Sequence, residues 1–284
     1  MKKRPLISLY TPGNRPDLIE KAERFKPDGI VIDFEDAVPL QMKAEVRENI
    51  AQLLPKLEIT TMVRVNAPHE FLEDDLKAVV SPHIYAVALP MAEKVDQVRY
   101  ADNIMTGLER ERGLEPNSVK LVLLIETALG VARCLDVCSA ATRVESIVFG
   151  SAEDGDLQAD LHSSWSVDGP EINYSRCRAL VEARAAGLPY VLDGAYSGIN
   201  DLEGLKAECT LSRKIGYDGR TLIHPSHIAI AREAYEPKAD QIEYYQRLVV
   251  AFEDAEKAGK AAITFENKMV DYAMYNKAKI FLGL

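Results

Sequence analysis

Short runs of apolar residues alternate with longer amphipathic segments up to residue 225 of the chain. Each run is too short to be a buried helix, and several are rich in β-branched residues, which favours buried strands of a parallel sheet. Eight such strands are predicted, at residues 6–11, 29–34, 60–65, 85–89, 121–125, 146–150, 189–192 and 221–223.

The segments between these strands have the periodicity of amphipathic helices. They predict helices at residues 16–25, 41–54, 70–80, 93–112, 174–186 and 202–215. Eight strands that alternate with helices favour an α/β fold of the (β/α)8 TIM-barrel type. An open doubly wound sheet stays a possible alternative at this point, because periodicity does not decide whether a sheet closes.

The pattern changes beyond Pro237. Two helices are predicted there, at residues 239–257 and 267–281, and no barrel strand follows them. We therefore expect a catalytic barrel domain at residues 1–236 and a C-terminal helical extension at residues 237–284.

Two of the predicted strands end on acidic residues. Glu126 closes the run at 121–125, and Glu153 and Asp154 follow the run at 146–150. An unpaired buried carboxylate destabilises a core, whereas the carboxyl ends of barrel strands converge on the face that carries active sites. Two carboxylates on that face offer the oxygen ligands that Mg²⁺ prefers. The alternative is that these acids only hold a loop in place.

Other polar residues follow the remaining strands, and most of them are carboxylates or arginine. They include Asp33, Glu35, Asp36, Arg64, Asn66, Asp193 and His224. No lysine stands at a strand end for a Schiff base, so metal-assisted chemistry is favoured over imine chemistry. No GxGxxG motif follows the first strand, which argues against a dinucleotide site. Arg64 could instead form a buried ion pair with Glu35 or Asp36.

Composition narrows the possible partners. The chain has 284 residues, 47% of them hydrophobic, and a formal net charge of −10, which argues against a nucleic acid or an anionic membrane as the main partner. No apolar run approaches transmembrane length, and the first residues lack the apolar stretch of a signal peptide. The four cysteines form no CxxC pair, so we expect reduced thiols in a cytoplasmic enzyme.

Several short motifs occur in order along the chain. They are Thr11-Pro12-Gly13-Asn14-Arg15-Pro16, Asp33-Phe34-Glu35-Asp36-Ala37-Val38, Val63-Arg64-Val65-Asn66, Ile125-Glu126-Thr127, Phe149-Gly150 with Glu153-Asp154, Gly216-Tyr217-Asp218-Gly219 and Ile223-His224-Pro225. Together they resemble the citrate lyase β-subunit-like group of the HpcH/HpaI aldolase family, which includes malyl-CoA and citramalyl-CoA lyases.

The resemblance implies roles for the acidic residues. Glu126 and Asp154 would bind Mg²⁺ as the two protein ligands, with Glu126 also close to the substrate. Glu35 and Asp36 would take part in catalysis by holding metal-bound waters.

The resemblance also implies contacts with the substrate and with coenzyme A. Arg64 would bind carboxylate or carbonyl oxygens of the substrate in a catalytic role, with Asn66 beside it. Arg15 and Lys21 would contact the phosphates of coenzyme A, although they could also form only a solvated helix face. Asp271 would be a catalytic acid that the C-terminal segment lends to a neighbouring subunit, and this favours a homo-oligomer such as a trimer.

The expected activity is Mg²⁺-dependent cleavage or condensation of a 3-hydroxy-acyl-CoA thioester, with a 2-oxo acid and an acyl-CoA as the other reaction partners. Three alternatives stay open: a metal-dependent 2-oxo-acid aldolase that acts without coenzyme A, a citryl-acyl-carrier-protein lyase subunit of a complex, and a non-catalytic binding protein. Met91 and Arg220 depart from the family pattern, which usually has lysine at both positions.

Overall fold

Eight parallel strands form a closed barrel in the computed structural model, which describes residues 4–67 and 69–284. The strands are β1 (Ile7–Pro12), β2 (Gly29–Asp33), β3 (Thr61–Arg64), β4 (Ala86–Leu89), β5 (Lys120–Ile125), β6 (Val144–Phe149), β7 (Leu192–Asp193) and β8 (Gly219–Leu222). Because β1 pairs with both β2 and β8, the sheet has no free edge. The predicted (β/α)8 TIM barrel is confirmed, and the open sheet is excluded.

Helices connect the strands, as the amphipathic spacing predicts. They are α1 (Pro16–Ala22), α2 (Lys43–Leu53), α3 (His69–Val79), α4 (Val95–Glu111), α5 (Ala128–Ala132), α6 (Cys134–Cys138), α7 (Asp156–Leu161), α8 (Pro170–Ala185), α9 (Leu202–Ile215) and α10 (His227–Tyr235). Proline starts α1, where its missing N–H would have no partner in any case, and Gly216 follows α9. Within the described ranges, none of the helices is long and apolar enough to cross a membrane.

Two hydrophobic clusters hold the barrel together, because successive strand residues point to opposite sides of a sheet. On β2, Ile30 and Ile32 belong to the larger cluster, which the strands share with the helices. Val31, between them, belongs to a smaller cluster made almost entirely of strand residues, which fills the barrel interior. This smaller cluster reaches Leu124 and Val148 near the carboxyl ends of β5 and β6.

A buried ion-pair cluster fixes the opposite, amino-terminal ends of β5 and β6. The fully buried Arg143 precedes β6 and donates hydrogen bonds to both carboxylate oxygens of Glu109, at 2.9 Å each. It also donates to the Val119 carbonyl at 2.9 Å and pairs with Asp102 at 2.5 Å. The guanidinium therefore joins α4 to the chain segments that enter these two strands.

The seventh strand differs from the prediction. The seventh strand is only Leu192–Asp193. It is shorter than the predicted strand at 189–192 and begins at the last residue of that range. Proline at 189 cannot donate to a ladder, and the Val191 N–H donates to the Asp218 carboxylate instead. The segment after β5 forms two short helices, α5 and α6, because Arg133 between them has a non-helical backbone.

Residues 236–284 form a second compact unit, with α11 (Ala239–Lys257), β9 (Ala262–Phe265), β10 (Lys268–Asp271) and α12 (Tyr272–Leu282). The helix predicted at 267–281 is wrong in its first part, since β10 pairs antiparallel with β9. Glu266 and Asn267 join the two strands with positive φ angles, as a type I′ turn requires. The turn lacks the glycine that makes such hairpins visible in a sequence.

We expect Phe252→Ala to unfold the C-terminal unit while the barrel stays folded. Phe252 is fully buried, and its ring centroid lies 4.8 Å from that of Tyr275 and 5.1 Å from that of Tyr272. Truncating a buried phenylalanine costs about 3–5 kcal/mol, a large share of the stability that so small a unit can have. Hydrogen exchange followed by mass spectrometry should show faster exchange confined to this unit.

Met269→Ala is the matched control, because Met269 is exposed in the same unit and its truncation should leave exchange unchanged. Faster exchange of the barrel strands in Phe252→Ala would contradict the expectation.

Candidate active site

A cavity of about 320 Å³ opens at the carboxyl ends of the strands. Leu124 and Val148 of the barrel interior form its floor. The first strands supply a polar side with Tyr10, Asp33 and Arg64, and Glu126 follows β5. The remaining wall comes from the last three strands and consists of Phe149, Gly150, Ser151, Ala152, Gly194, Ala195, Thr221 and Ile223.

Arg64 is held by a bidentate ion pair with Asp33. Its Nε and Nη2 atoms donate to the two carboxylate oxygens of Asp33, both at 2.7 Å. The two residues are register partners on the neighbouring strands β2 and β3, so the sheet itself places them side by side. Asp33 also accepts hydrogen bonds from the backbone N–H groups of Glu35 and Ala37, which shapes the loop after β2.

The structure brings the predicted residues Glu35 and Asp36 to the same guanidinium. Nη1 of Arg64 lies 3.1 Å from Glu35 Oε2, and Nη2 lies 3.2 Å from Asp36 Oδ2. Burial raises the pKa of Glu35 to about 8, and the positive charge of Arg64 only partly opposes this. Glu35 is therefore a carboxyl group that exchanges its proton near neutral pH.

Tyr10 is a site residue that sequence reasoning missed. Its ring centroid lies 5.2 Å from the guanidinium carbon of Arg64, which is cation–π distance. Burial raises the pKa of the Tyr10 hydroxyl above its usual value despite the opposing charge of Arg64, and Asp33 and Glu126 raise it further. The alternation along β1 could have identified it. Ile7 and Leu9 pack on the side of the helices, so Ser8 and Tyr10 between and after them point to the barrel interior.

Glu126 lines the cavity, as predicted, and its carboxylate is oriented by backbone. The N–H of Met91 donates to Glu126 Oε1 at 2.8 Å, from a turn in which Met91 has the unusual φ of +50°. Burial raises the pKa of Glu126 to about 7, while this hydrogen bond and Arg64 lower it. At position 91 the main chain, rather than the side chain, contacts the site.

The two acids in the loop after β6 differ in their relation to Glu126. Asp154 is exposed and does not line the cavity; it has a φ of +54°, and its N–H donates to Gln158. Asp156 begins α7, and its charge is among the principal ones that raise the pKa of Glu126. Asp156 is exposed as well and does not line the cavity, and its charge acts on Glu126. Metal binding by Asp154 stays a prediction.

The donor set of the cavity fits Mg²⁺. Among the described residues that line it, Arg64 is the only positively charged side chain, whereas several carboxyl groups surround it. No group of three or more His, Cys, Asp and Glu side chains in the described residues is arranged to hold a metal. The carboxylate oxygens of Glu126 are of the kind that suits Mg²⁺, whereas tetrahedral zinc sites use mainly nitrogen and sulfur ligands.

Asn66, predicted to bind substrate, is committed elsewhere. It is buried, and its side-chain amide donates to Asp75 at 2.7 Å while its carbonyl oxygen accepts from Lys43. The Lys43 ammonium also donates to the carbonyls of Phe34 and Glu35. In the structure Asn66 supports the loop after β2 and does not line the cavity.

Arg15 and Lys21, predicted to contact coenzyme A, lie at the start and end of α1 and do not line the cavity. Both are exposed and share one carboxylate, with Asp17 2.9 Å from Arg15 and 3.7 Å from Lys21. A phosphate would have to compete with Asp17 for these two cations. Their role stays a prediction.

Asp271 belongs to the second compact unit. It is the residue that caps α12, where its carboxylate accepts hydrogen bonds from the backbone N–H groups of Ala273 and Met274. A catalytic role for Asp271 stays a prediction.

Comparison of the sequence with known protein families identifies the family of the chain. The HpcH/HpaI aldolase/citrate lyase family matches residues 6–225, and the chain belongs to this family. It is accordingly an enzyme of the carbon–carbon lyase class.

Individual relatives match along most of the chain. The β-subunit of citrate lyase from Haemophilus influenzae is 32% identical over 278 residues, covering 96% of this chain and 94% of that protein. A (3S)-malyl-CoA thioesterase from Cereibacter sphaeroides is 33% identical over 267 residues, covering 93% and 88%. The crystal structure of CitE from Mycobacterium tuberculosis in complex with magnesium, acetoacetate and coenzyme A matches with a TM-score of 0.77 and 26% identity, covering 100% of this chain and 98% of that one.

We expect Glu126→Gln to stabilise the metal-free protein increasingly as the pH rises. The folded state raises the pKa of Glu126 from 4.5 to about 7, so the neutral form contributes stability below pH 4.5 that is lost as the pH rises through 7. Glutamine keeps the shape and stays neutral. In EDTA, its melting temperature relative to the wild type should therefore increase between about pH 5 and about pH 9.

Glu153→Gln is the control, because Glu153 is exposed in the loop after β6. A pH-independent difference between Glu126→Gln and the wild type would contradict the raised pKa.

Proposed function

We propose that the protein catalyses reversible, Mg²⁺-dependent cleavage of a 3-hydroxy-acyl-CoA thioester into a 2-oxo acid and an acyl-CoA. The observation that supports the proposal is that Arg64, Asp33 and Glu126 line one cavity at the carboxyl ends of the strands. Glu35 lies beside Arg64, 3.1 Å from its Nη1. The likeness to a citrate lyase β-subunit, to a malyl-CoA thioesterase and to a structure with magnesium, acetoacetate and coenzyme A supports these ligand classes.

Arg64 is suited to bind the carboxylate of a 2-oxo acid. Asp33 fixes the plane of its guanidinium through two hydrogen bonds, so the direction of the remaining donors is set before a ligand arrives. The nearest of the other acids, Glu35, has a pKa of about 8 and is therefore mostly neutral at pH 7. A neutral Glu35 does not repel an incoming carboxylate and does not compete with it for the charge of Arg64.

Glu126 and Asp156 are the residues that we propose to hold the metal, with Asp154 as the alternative predicted from the sequence. Glu126 is already oriented by the Met91 N–H and electrostatically coupled to Asp156. Bound Mg²⁺ would supply Lewis-acid stabilisation of negative charge on the substrate oxygens.

The bond changes require proton exchange at two points. In the cleavage direction the 3-hydroxyl loses its proton and becomes the carbonyl of the 2-oxo acid. The electron pair of the broken carbon–carbon bond passes to the α-carbon of the thioester, which takes up a proton. We propose that Glu35 exchanges the hydroxyl proton, since its pKa lies near the working pH, and that Arg64 stabilises the developing charge.

Proton exchange at the α-carbon is assigned in this proposal to Asp271 of a neighbouring chain. The assignment rests on the family resemblance of its motif. It requires a homo-oligomer, and Asp271→Asn should then slow turnover without weakening Mg²⁺ binding.

We expect Asp156→Asn and Glu126→Gln, but not Asp154→Asn, to abolish the stabilisation of the protein by Mg²⁺. A ligand that binds the folded state raises the melting temperature by mass action. Melting curves of the three variants and the wild type, with MgCl₂ and with EDTA, measure this directly. Loss of the Mg²⁺ response in Asp154→Asn with retention in Asp156→Asn would contradict our choice and support the pair predicted from the sequence.

We expect the wild type to release a 2-oxo acid and acetyl-CoA from malyl-CoA, citramalyl-CoA or another 3-hydroxy-acyl thioester in the presence of Mg²⁺, and Arg64→Lys to lower kcat/KM by about 10²-fold. Lysine provides charge but not the planar fork, and one lost donor to developing charge costs about 10²–10³ in rate. Mass spectrometry of the 2-oxo acid and acetyl-CoA measures the reaction, and a colorimetric assay for free thiol detects competing hydrolysis of the thioester.

Free coenzyme A without a 2-oxo acid would show hydrolysis of the thioester and contradict the proposed lyase reaction. Release of a 2-oxo acid from a free hydroxy acid would support the aldolase alternative instead.

A further inference from the structure

The cavity wall contributed by the last three strands is built largely of backbone in very close contact. A Cβ atom on Gly194 would lie 2.5 Å from the Phe149 carbonyl oxygen and 2.9 Å from the Ser151 nitrogen. A Cβ atom on Gly150 would lie 2.6 Å from Glu126 Cβ. The chain after β7 therefore rests directly on the end of β6, which rests directly on Glu126.

Both backbone polar groups of Gly194 are held by buried charged side chains. Its N–H donates to Asp193 Oδ1 at 2.9 Å. Its carbonyl oxygen accepts two hydrogen bonds from Arg220, at 3.0 Å from Nε and 2.6 Å from Nη2. Arg220 lies on β8, and its side chain is fully buried.

A closed cluster of charges holds Arg220 in turn. Its Nη2 donates to Glu208 at 2.8 Å, and its Nη1 donates to the sulfur of Cys209 at 3.2 Å. Glu208 also accepts from Arg176 at 2.8 Å, and Arg176 lies 3.4 Å from Asp193. Two arginines thus balance two carboxylates. Glu208 accepts one hydrogen bond from each arginine, and the Gly194 carbonyl accepts two from the planar guanidinium of Arg220.

We propose that Arg220 is a positioning residue for the active-site cavity: through the Gly194 carbonyl it fixes the wall formed by the last strands and the strand end that rests on Glu126. Lysine, usual at this position in the family pattern, has a single ammonium group. It cannot make two coplanar hydrogen bonds to one carbonyl while also pairing with Glu208. Of the two measurements below, only the kinetic one rests on the proposed function.

The matched control for Arg220 is Arg143. Both arginines are fully buried, and both pair with a glutamate and donate to a backbone carbonyl. Arg143, however, holds the amino-terminal ends of β5 and β6, away from the cavity. A merely structural arginine at 220 would behave as Arg143 does.

The single tryptophan of the chain provides a measurement that does not depend on activity. The ring of Trp165 lies 5.7 Å between centroids from that of Tyr196, two residues after Gly194. In the full-length protein we expect Arg220→Lys to shift the Trp165 emission and to increase its quenching by acrylamide, whereas Arg143→Lys should leave both unchanged. With substrate, Arg220→Lys should lower kcat/KM by about tenfold or more, since small misplacements of reacting groups are costly.

Wild-type emission and quenching of Trp165 in Arg220→Lys would overturn the inference. So would a kcat/KM of Arg220→Lys that falls no more than that of Arg143→Lys, when the two variants lose a similar amount of melting temperature. If Arg220→Lys does not fold, Glu208→Gln weakens the same cluster and Glu109→Gln is its control, with the same fluorescence outcomes deciding. Absence of lyase activity in the wild type would contradict the proposed function alone, because the fluorescence comparison still tests the position of the wall.

Discussion

The ion pair between Arg64 and Asp33 is the interaction on which the candidate site depends. The register of β2 and β3 places the two residues side by side, and Asp33 then holds both the guanidinium and the start of the following loop. Glu35 reaches Arg64 because this loop is fixed. The site is thus a consequence of strand pairing, and the charged side chains need little ordering when a ligand binds.

The two sides of the cavity are built by different means. The side formed by the first strands and Glu126 carries titratable groups, and burial raises the pKa values of Glu35 and Glu126 there. The side formed by the last strands carries close backbone contacts held from behind by the neutral cluster around Arg220. One side therefore supplies charge for chemistry, while the other supplies a rigid surface against which a ligand can be oriented.

Sequence reasoning was most successful where a residue's position follows from its strand. Arg64, Glu35 and Glu126 stand at or just after strand ends, and the structure brings them together. It was least successful where long-range contacts decide the environment. Asn66 also follows a strand, yet it pairs with Lys43 and Asp75, and Asp154 is exposed and does not line the cavity. The Glu266–Asn267 hairpin turn was missed because it has no glycine and because glutamate is unusual at a position of positive φ.

The alternation of apolar and polar residues by itself determined that this chain forms strands and helices in turn, and that its polar strand ends gather on one face. It could do so because periodicity records which side of each element is buried. Only the tertiary structure decided which carboxyl groups share the cavity, which of them stay protonated near neutral pH, and that Arg220 holds Gly194. Those properties depend on desolvation and on distances between residues far apart in the chain, which no local pattern contains.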